Sequence, residues 1–131
     1  MQPMPIHPVF VHFPVAFYFL EMVMLIAWSV KKDAFYWRVS RVAFGWGYGL
    51  MFAAIAAGLW DIGGPANIRG TVRTHVLAAS AVLALTTIRA FQARAAAADP
   101  ERHRTLLVAG AVAVNIAVLI TGYFGGLLAF Q

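Results

Sequence analysis

The chain has 131 residues, of which 62% are hydrophobic and 11% are charged. Soluble domains typically carry about 25% charged residues, so this composition excludes an ordinary soluble protein. The length suits one domain over residues 1–131. The formal net charge is +5, but the basic residues stand at the ends of apolar stretches and not on one polar face, which argues against nucleic-acid binding. The sequence contains no cysteine, which excludes disulfides, thiol catalysis and haem attached through a CxxCH motif.

Four apolar stretches follow one another along the chain, each close to the roughly 20 residues that a membrane-spanning helix needs. They cover about residues 8–30, 42–60, 74–91 and 105–128. Short connections with charged residues, glycine and proline separate them, so consecutive helices should run antiparallel. The sequence therefore predicts an all-α integral membrane protein, an up-down four-helix bundle in the lipid bilayer, and shows no evident internal repeat.

Lysine and arginine are distributed unevenly over the three connections. The basic residues that flank the first and third connections are Lys31, Lys32, Arg38, Arg41, Arg89, Arg94, Arg102 and Arg104. The second connection has Arg69 and Arg73 alone. Because cytoplasmic connections carry the excess of basic residues, we expect the first and third connections in the cytoplasm and both termini outside.

Small residues recur at four-residue spacing in the second and fourth stretches. The pairs are Gly45 with Gly49, Ala54 with Gly58, and Gly122 with Gly126. Such pairs let membrane helices approach closely. The alternative is that they reflect the general abundance of alanine and glycine in membrane helices.

Histidine is the residue type in this sequence best suited to hold a cofactor. His7 and His12 lie at the outer end of the first helix and His75 near the start of the third, whereas His103 precedes the fourth. The first and third helices are diagonal partners in an up-down bundle, and His12 and His75 should lie at similar depth. Two imidazoles facing each other at one depth can ligate a haem iron from both sides, so we predict haem b held by His12 and His75.

Other interpretations of these residues remain open. His12 and His75 could bind another metal, or satisfy backbone carbonyls that a helical proline frees. His7 and His12 are five residues apart and face different directions, which makes them poor partners for one metal. Arg69 or Arg73 could meet a haem propionate through the forked guanidinium; equally, either could form a loop ion pair with Asp61.

Glu21 lies near the middle of the first apolar stretch, where an ionisable side chain usually marks a partner or a proton path. Asn115, at similar depth in the fourth stretch, is the expected hydrogen-bond partner. A protonated Glu21 bonded to Asn115 or to a backbone carbonyl is one interpretation. A proton relay or quinol site is the other.

The opening His7-Pro8-Val9-Phe10-Val11-His12-Phe13-Pro14 resembles that of a family of small bacterial membrane proteins known as domain of unknown function 2231. The family pattern continues through the acidic Glu21, a Gly-Leu-Trp-Asp end to the second helix at residues 58–61, His75, and a glycine-rich fourth helix. Its acidic position is often aspartate, from which Glu21 departs. The resemblance implies location in the bacterial cytoplasmic (inner) membrane. Members fused to cytochrome c or Rieske-type domains imply a redox setting.

Taken together, these features predict a small b-type cytochrome-like subunit, not an enzyme by itself. It would pass electrons between a redox partner on the outer face and quinone or another subunit, with His12, His75, Arg69 and Arg73 as the haem site. The alternative is a cofactor-free anchor or assembly subunit of a larger respiratory-type complex. A transporter or channel is a third hypothesis, and the sequence is also compatible with a homo-oligomer.

Overall fold

A computed structural model describes residues 5–128 of the chain. Its long helices are α1 (His7–Lys31), α2 (Ala34–Asp61), α3 (Gly70–Ala95) and α4 (Arg104–Leu128), with one short 3₁₀ turn at Pro65–Asn67 between α2 and α3. Each long helix is long and apolar enough to cross a bilayer. The described part of the chain contains no strand. The protein is therefore a multi-pass, all-α membrane protein, as the sequence predicts.

Side chains and backbone conformation at the connections account for where the helices begin and end. Lys32 adopts a left-handed conformation (φ 58°) that ends α1, and the next residue, Asp33, accepts a hydrogen bond from Phe35 N and so caps α2. At the other end of α2, Asp61 accepts a hydrogen bond from His7 N at 2.7 Å. The last residue of α2 thereby supplies the acceptor that the first turn of α1 lacks.

The helices pack as a bundle in which α1 contacts both α2 and α4, and α3 contacts α4. Helices α2 and α3 approach through side chains, with Tyr48 Oη 3.0 Å from Thr87 Oγ1. Helices α1 and α3 lie diagonally and begin at the same end of the bundle, here called the histidine end. Two buried apolar clusters fill the opposite end and the middle; their largest members are Trp28 and Leu25, then Tyr18 and Phe44. Cavities occupy the histidine end.

The observed helices are longer than the sequence predicts, chiefly at the cytoplasmic end proposed from the basic residues. Helix α2 begins at Ala34 instead of about residue 42, and α3 continues to Ala95 instead of about residue 91. Arg41 therefore lies inside α2, where its guanidinium stands 5.4 Å from the Phe44 ring centroid. Aromatic contact of this kind lets a cation lie at the edge of a membrane helix.

The glycines that allow close contact are mostly not the predicted ones. A Cβ added at Gly45, Gly49, Gly122 or Gly126 would meet nothing within 4 Å, so those pairs lie on open faces. The predicted pair of Ala54 and Gly58 is confirmed as a close contact, because Ala54 is buried and a Cβ at Gly58 would lie 3.0 Å from a histidine ring.

Candidate functional site

Two histidine rings meet across the bundle at the histidine end. His7 is the first residue of α1, and His75 lies in the second turn of α3. Their ring centroids are 5.8 Å apart and the planes are nearly perpendicular, at 82°. Both side chains are half-buried. The first and third helices thus bring together one imidazole each, from positions 68 residues apart in the sequence.

Each of these rings is held by a backbone carbonyl of the adjacent helix. His7 Nδ1 lies 2.8 Å from Ala54 O on α2, and His75 Nδ1 lies 3.1 Å from Thr121 O on α4. A carbonyl can only accept, so Nδ1 carries the proton in both rings and the Nε2 lone pair is left available. No other described residue makes a hydrogen bond to either Nε2. Histidines that ligate metals are typically oriented in this way.

A glycine lies directly beneath each ring. A Cβ added at Gly58 would lie 3.0 Å from His7 Nδ1, and one added at Gly125 would lie 3.1 Å from His75 Cε1. Any larger residue would therefore push the ring away from its carbonyl. The absence of a side chain at these two positions sets the place of each imidazole.

A cavity lies on each side of the histidine pair. One, of about 380 Å³, lies between α2 and α3 and is lined by Ile55 and Ala79. The other, of about 490 Å³, lies mainly between α1 and α4 and reaches down to Tyr18. His7, His75 and Gly125 line both. Volumes in this range and walls this apolar are typical of sites for cofactors and small molecules.

Of the two predicted haem ligands, the structure brings His75 into the pair and leaves His12 beside it. His12 lines the larger cavity, and its Nδ1 bonds the carbonyl of Pro8 in its own helix. The ring that lies next to His75 is that of His7, five residues earlier, which the sequence analysis considers only as a partner of His12. The described contacts therefore favour His7 as the partner of His75, while ligation by His12 stays a prediction.

Arg69 and Arg73 are placed at the mouth of the bundle and not inside it. Arg69 precedes the first residue of α3 and Arg73 lies in its first turn; both are exposed, and neither lines either of the two cavities beside the histidine pair. The proposed ion pair with Asp61 is wrong, because the Asp61 carboxylate bonds the backbone of His7 and no described carboxylate pairs with either arginine. A role toward propionates stays a prediction.

A buried ion pair lies deeper in the bundle. Arg89 donates from both Nη atoms to the two carboxylate oxygens of Glu21, at 2.7 Å each, and also to Leu107 O at 3.3 Å. Glu21 is 1% exposed and Arg89 3%. The expected partnership of Glu21 with Asn115 is wrong, because Asn115 donates to backbone carbonyls instead. Arg89, interpreted as flanking a connection, is the missing partner.

A regular spacing in the sequence could have revealed both contacts. Glu21 follows His7 by 14 residues, and Arg89 follows His75 by 14 residues. Fourteen residues are close to four helical turns, so each pair lies on one face of its helix. Two helices that carry the same spacing can therefore contact each other both at the level of the histidines and at the level of the ion pair.

Comparison with known proteins supports the assignment of the chain as a membrane protein and does not indicate an activity. A family profile described as a predicted membrane protein (DUF2231) matches residues 3–131. No curated protein and no solved structure matches. Within the part of the chain that the structure describes, no group of three or more histidine, cysteine, aspartate or glutamate residues is placed to hold a metal ion. The histidine pair is thus a two-ligand arrangement.

Proposed function

Since the chain belongs to the DUF2231 family of predicted membrane proteins, whose description specifies no activity, we propose from the site itself that it is a small b-type cytochrome. It holds one haem through His7 and His75 and serves as an electron-transfer subunit. The observation that carries this proposal is the pair of imidazoles with ring centroids 5.8 Å apart, flanked by apolar cavities. Each has Nδ1 bonded to a carbonyl, and no other described residue bonds its Nε2.

The donor set suits haem better than a bare ion. A four-coordinate structural zinc site needs four protein ligands, and this pair supplies two. A porphyrin brings its own four nitrogens and needs only axial ligands from the protein. With ring centroids 5.8 Å apart, His7 and His75 lie close enough together to hold one haem iron.

The chain's own residues would fix the spectroscopic and chemical character of the site. The carbonyls of Ala54 and Thr121 fix the orientation of the two imidazoles, so that each would present a neutral Nε2 donor to the haem. The apolar cavity walls keep water from the site and lower the local dielectric constant. When bound, haem supplies one-electron chemistry. Held by His7 and His75, it would transfer electrons in preference to reacting with oxygen or small ligands.

The same proposal includes the setting of the protein. The uneven distribution of basic residues supports an orientation with the histidine end on the outer side of the bacterial inner membrane and both termini outside. Electrons would then pass between an extracytoplasmic redox partner and quinone or another subunit. Arg69 and Arg73, exposed at this mouth, are positioned to interact with anionic groups there.

Ligation is tested by replacing the four histidines one at a time and measuring haem per folded chain in detergent, after expression with ample haem. We expect His7→Ala and His75→Ala to lose haem or its low-spin spectrum. His12→Ala and His103→Ala are the matched controls and should keep about one haem per chain. Loss in His12→Ala with retention in His7→Ala would instead support the His12–His75 pair. Full low-spin haem in both His7→Ala and His75→Ala would refute the proposal.

A second candidate is a cofactor-free anchor or assembly subunit. The observation that favours it is the shortness of the connections, since two residues join α1 to α2 and eight join each following pair of long helices. Little of the described chain therefore lies outside a bilayer. A purified protein that is folded and colourless even with ample haem, and that co-purifies with neighbouring membrane subunits, would support this candidate.

A further inference from the structure

The bundle consists of two helical hairpins with corresponding structures, α1–α2 and α3–α4. Every buried residue of α1 has a buried counterpart 68 positions later, in α3 or just after its end. The pairs are Pro14 with Val82, Tyr18 with Thr86, Glu21 with Arg89, Leu25 with Ala93, and Trp28 with Ala96. The buried residues of α4 correspond in the same way to buried residues of α2 that lie 67 positions earlier.

Buried residues spaced alternately three and four apart are common in packed helices, so the buried pairs alone do not show that the hairpins correspond. The stronger evidence is a set of contacts that this spacing does not determine. His7 and His75 are counterparts, and so are their carbonyl partners Ala54 and Thr121. The glycines beneath the two rings, 58 and 125, are counterparts as well. The two hairpins therefore correspond at these positions, as in parallel membrane repeats, although α1 packs closely on α4 and α2 does not pack as closely on α3.

The Glu21–Arg89 pair joins two counterparts about four turns below the histidine pair. It is the point at which the two hairpins differ most in chemistry, because counterparts carry opposite charges. Apolar helices slide past each other at little cost, since lipid and neighbouring helix are equally apolar. The hairpins thus need another feature to select one register.

We propose that the Glu21–Arg89 ion pair is the positioning element that sets the register and partner choice of the two hairpins, so that His7 meets His75. A slip of one helical turn, about 5.4 Å, would break both 2.7 Å bonds and leave two unpaired charges in the membrane. Pairing of a hairpin with its own kind from another chain would place like charges together. Only the haem readout of this inference rests on the proposed function.

The surroundings of the pair define a charge-swapped variant. Arg89 fits against α4 because residue 110 is glycine, where a Cβ would lie 2.9 Å from Arg89 Nε. The counterpart of Gly110 is Ala43 on α2, which is buried. An arginine at position 21 would need the same space beside residue 43, so exchanging the charges also requires Ala43→Gly. Gly110→Ala fills the space that Arg89 no longer occupies.

Register is measured between two introduced cysteines, which the cysteine-free sequence allows. Val9 and Phe91 are 62% and 67% exposed. Phe91 is the counterpart of residue 23, which lies about 21 Å along α1 from Val9, so the distance between Val9 and Phe91 has a large component along the bundle and changes when the hairpins slip. Spin labels at both positions report the α1–α3 distance by electron spin resonance, independently of haem. The informative variant replaces the ion pair by the apolar pair Glu21→Leu and Arg89→Met, which should fold well because it removes the cost of burying charge.

We expect one narrow distance in the parent, and in the apolar variant a second population shifted by several ångströms, most of the roughly 5.4 Å rise of one helical turn, with a corresponding loss of haem. The swap Glu21→Arg with Arg89→Glu, Ala43→Gly and Gly110→Ala should restore the single distance. A narrow, unchanged distance in the apolar variant would overturn the inference, since the pair would then serve stability alone. Failure of the swap to restore folding or distance would also overturn it. Correct distances in a protein that never binds haem would leave the inference standing and remove the proposed function.

Discussion

The glycine beneath His75 provides a sharp test of how the site is built. In Gly125→Ala, the new Cβ would lie 3.1 Å from Cε1 and 3.3 Å from Nδ1 of the His75 ring, closer than carbon atoms normally approach. The ring must move, and moving it lengthens the 3.1 Å hydrogen bond to Thr121 O. Gly122→Ala is the matched control on the same helix, because its Cβ would meet nothing within 4 Å.

Two opposing effects decide the size of the change. Alanine in place of glycine favours a helix by up to about 1 kcal/mol, and this gain applies to both variants. Overpacking typically costs about 1–3 kcal/mol, and a weakened hydrogen bond about 0.5–1.5 kcal/mol; these costs apply to Gly125→Ala alone. We therefore expect Gly125→Ala to be less stable than Gly122→Ala by about 1–3 kcal/mol.

The assay is reversible unfolding in mixed detergent, with the free energy of unfolding measured by circular dichroism for both variants and the parent. Haem content, where haem is bound, should fall in Gly125→Ala. Equal stability of the two variants, within about 0.5 kcal/mol, would show that the ring does not rest on Gly125 and would refute this account of the site.

Three further predictions concern the rest of the bundle. Gly47→Ala should destabilise the fold and Gly45→Ala should not, as measured by the same unfolding titration, because a Cβ at Gly47 would lie 3.0 Å from the Tyr18 ring and one at Gly45 meets no atom within 4 Å. Asp61→Ala should speed amide hydrogen exchange in the first turn of α1 and lower stability by about 0.5–2 kcal/mol, since the carboxylate accepts from the first amide of that helix; unchanged exchange would contradict the assignment. Lys32→Ala should lower stability by less than about 1 kcal/mol, because the ion pair of Lys32 with a carboxylate of the α3–α4 connection is exposed. The loss should be smaller still at high salt. A larger loss would contradict this and show that the ion pair contributes substantially to holding the two hairpins together.

The four spans could be predicted from the sequence because length and apolar composition determine them directly. The faces of the helices could not, since lipid-facing and buried residues are equally apolar, and the periodicity that marks the core of a soluble helix is missing. Gly122 and Gly126, which form a recognisable motif, therefore lie on an open face, whereas Gly125 carries the contact.

Arg89 shows a second limit of the sequence interpretation. An arginine near the predicted end of a span is usually a flanking residue, and only the tertiary contact with Glu21 identifies it as buried. The histidine pair was missed for a related reason: His12 stands inside the first apolar stretch, whereas His7 stands just before it. The helix begins at His7 because Asp61, 54 residues away, caps it.

The central claim is that His7 and His75 hold a haem, and the most direct measurement is a reduced-minus-oxidised visible spectrum of the detergent-purified protein, expressed with ample haem. We predict a b-type α-band, about one low-spin haem per chain, and its loss in His7→Ala and His75→Ala. A folded, helical and colourless wild-type protein would contradict the claim and would leave the two imidazoles as polar groups that join the hairpins.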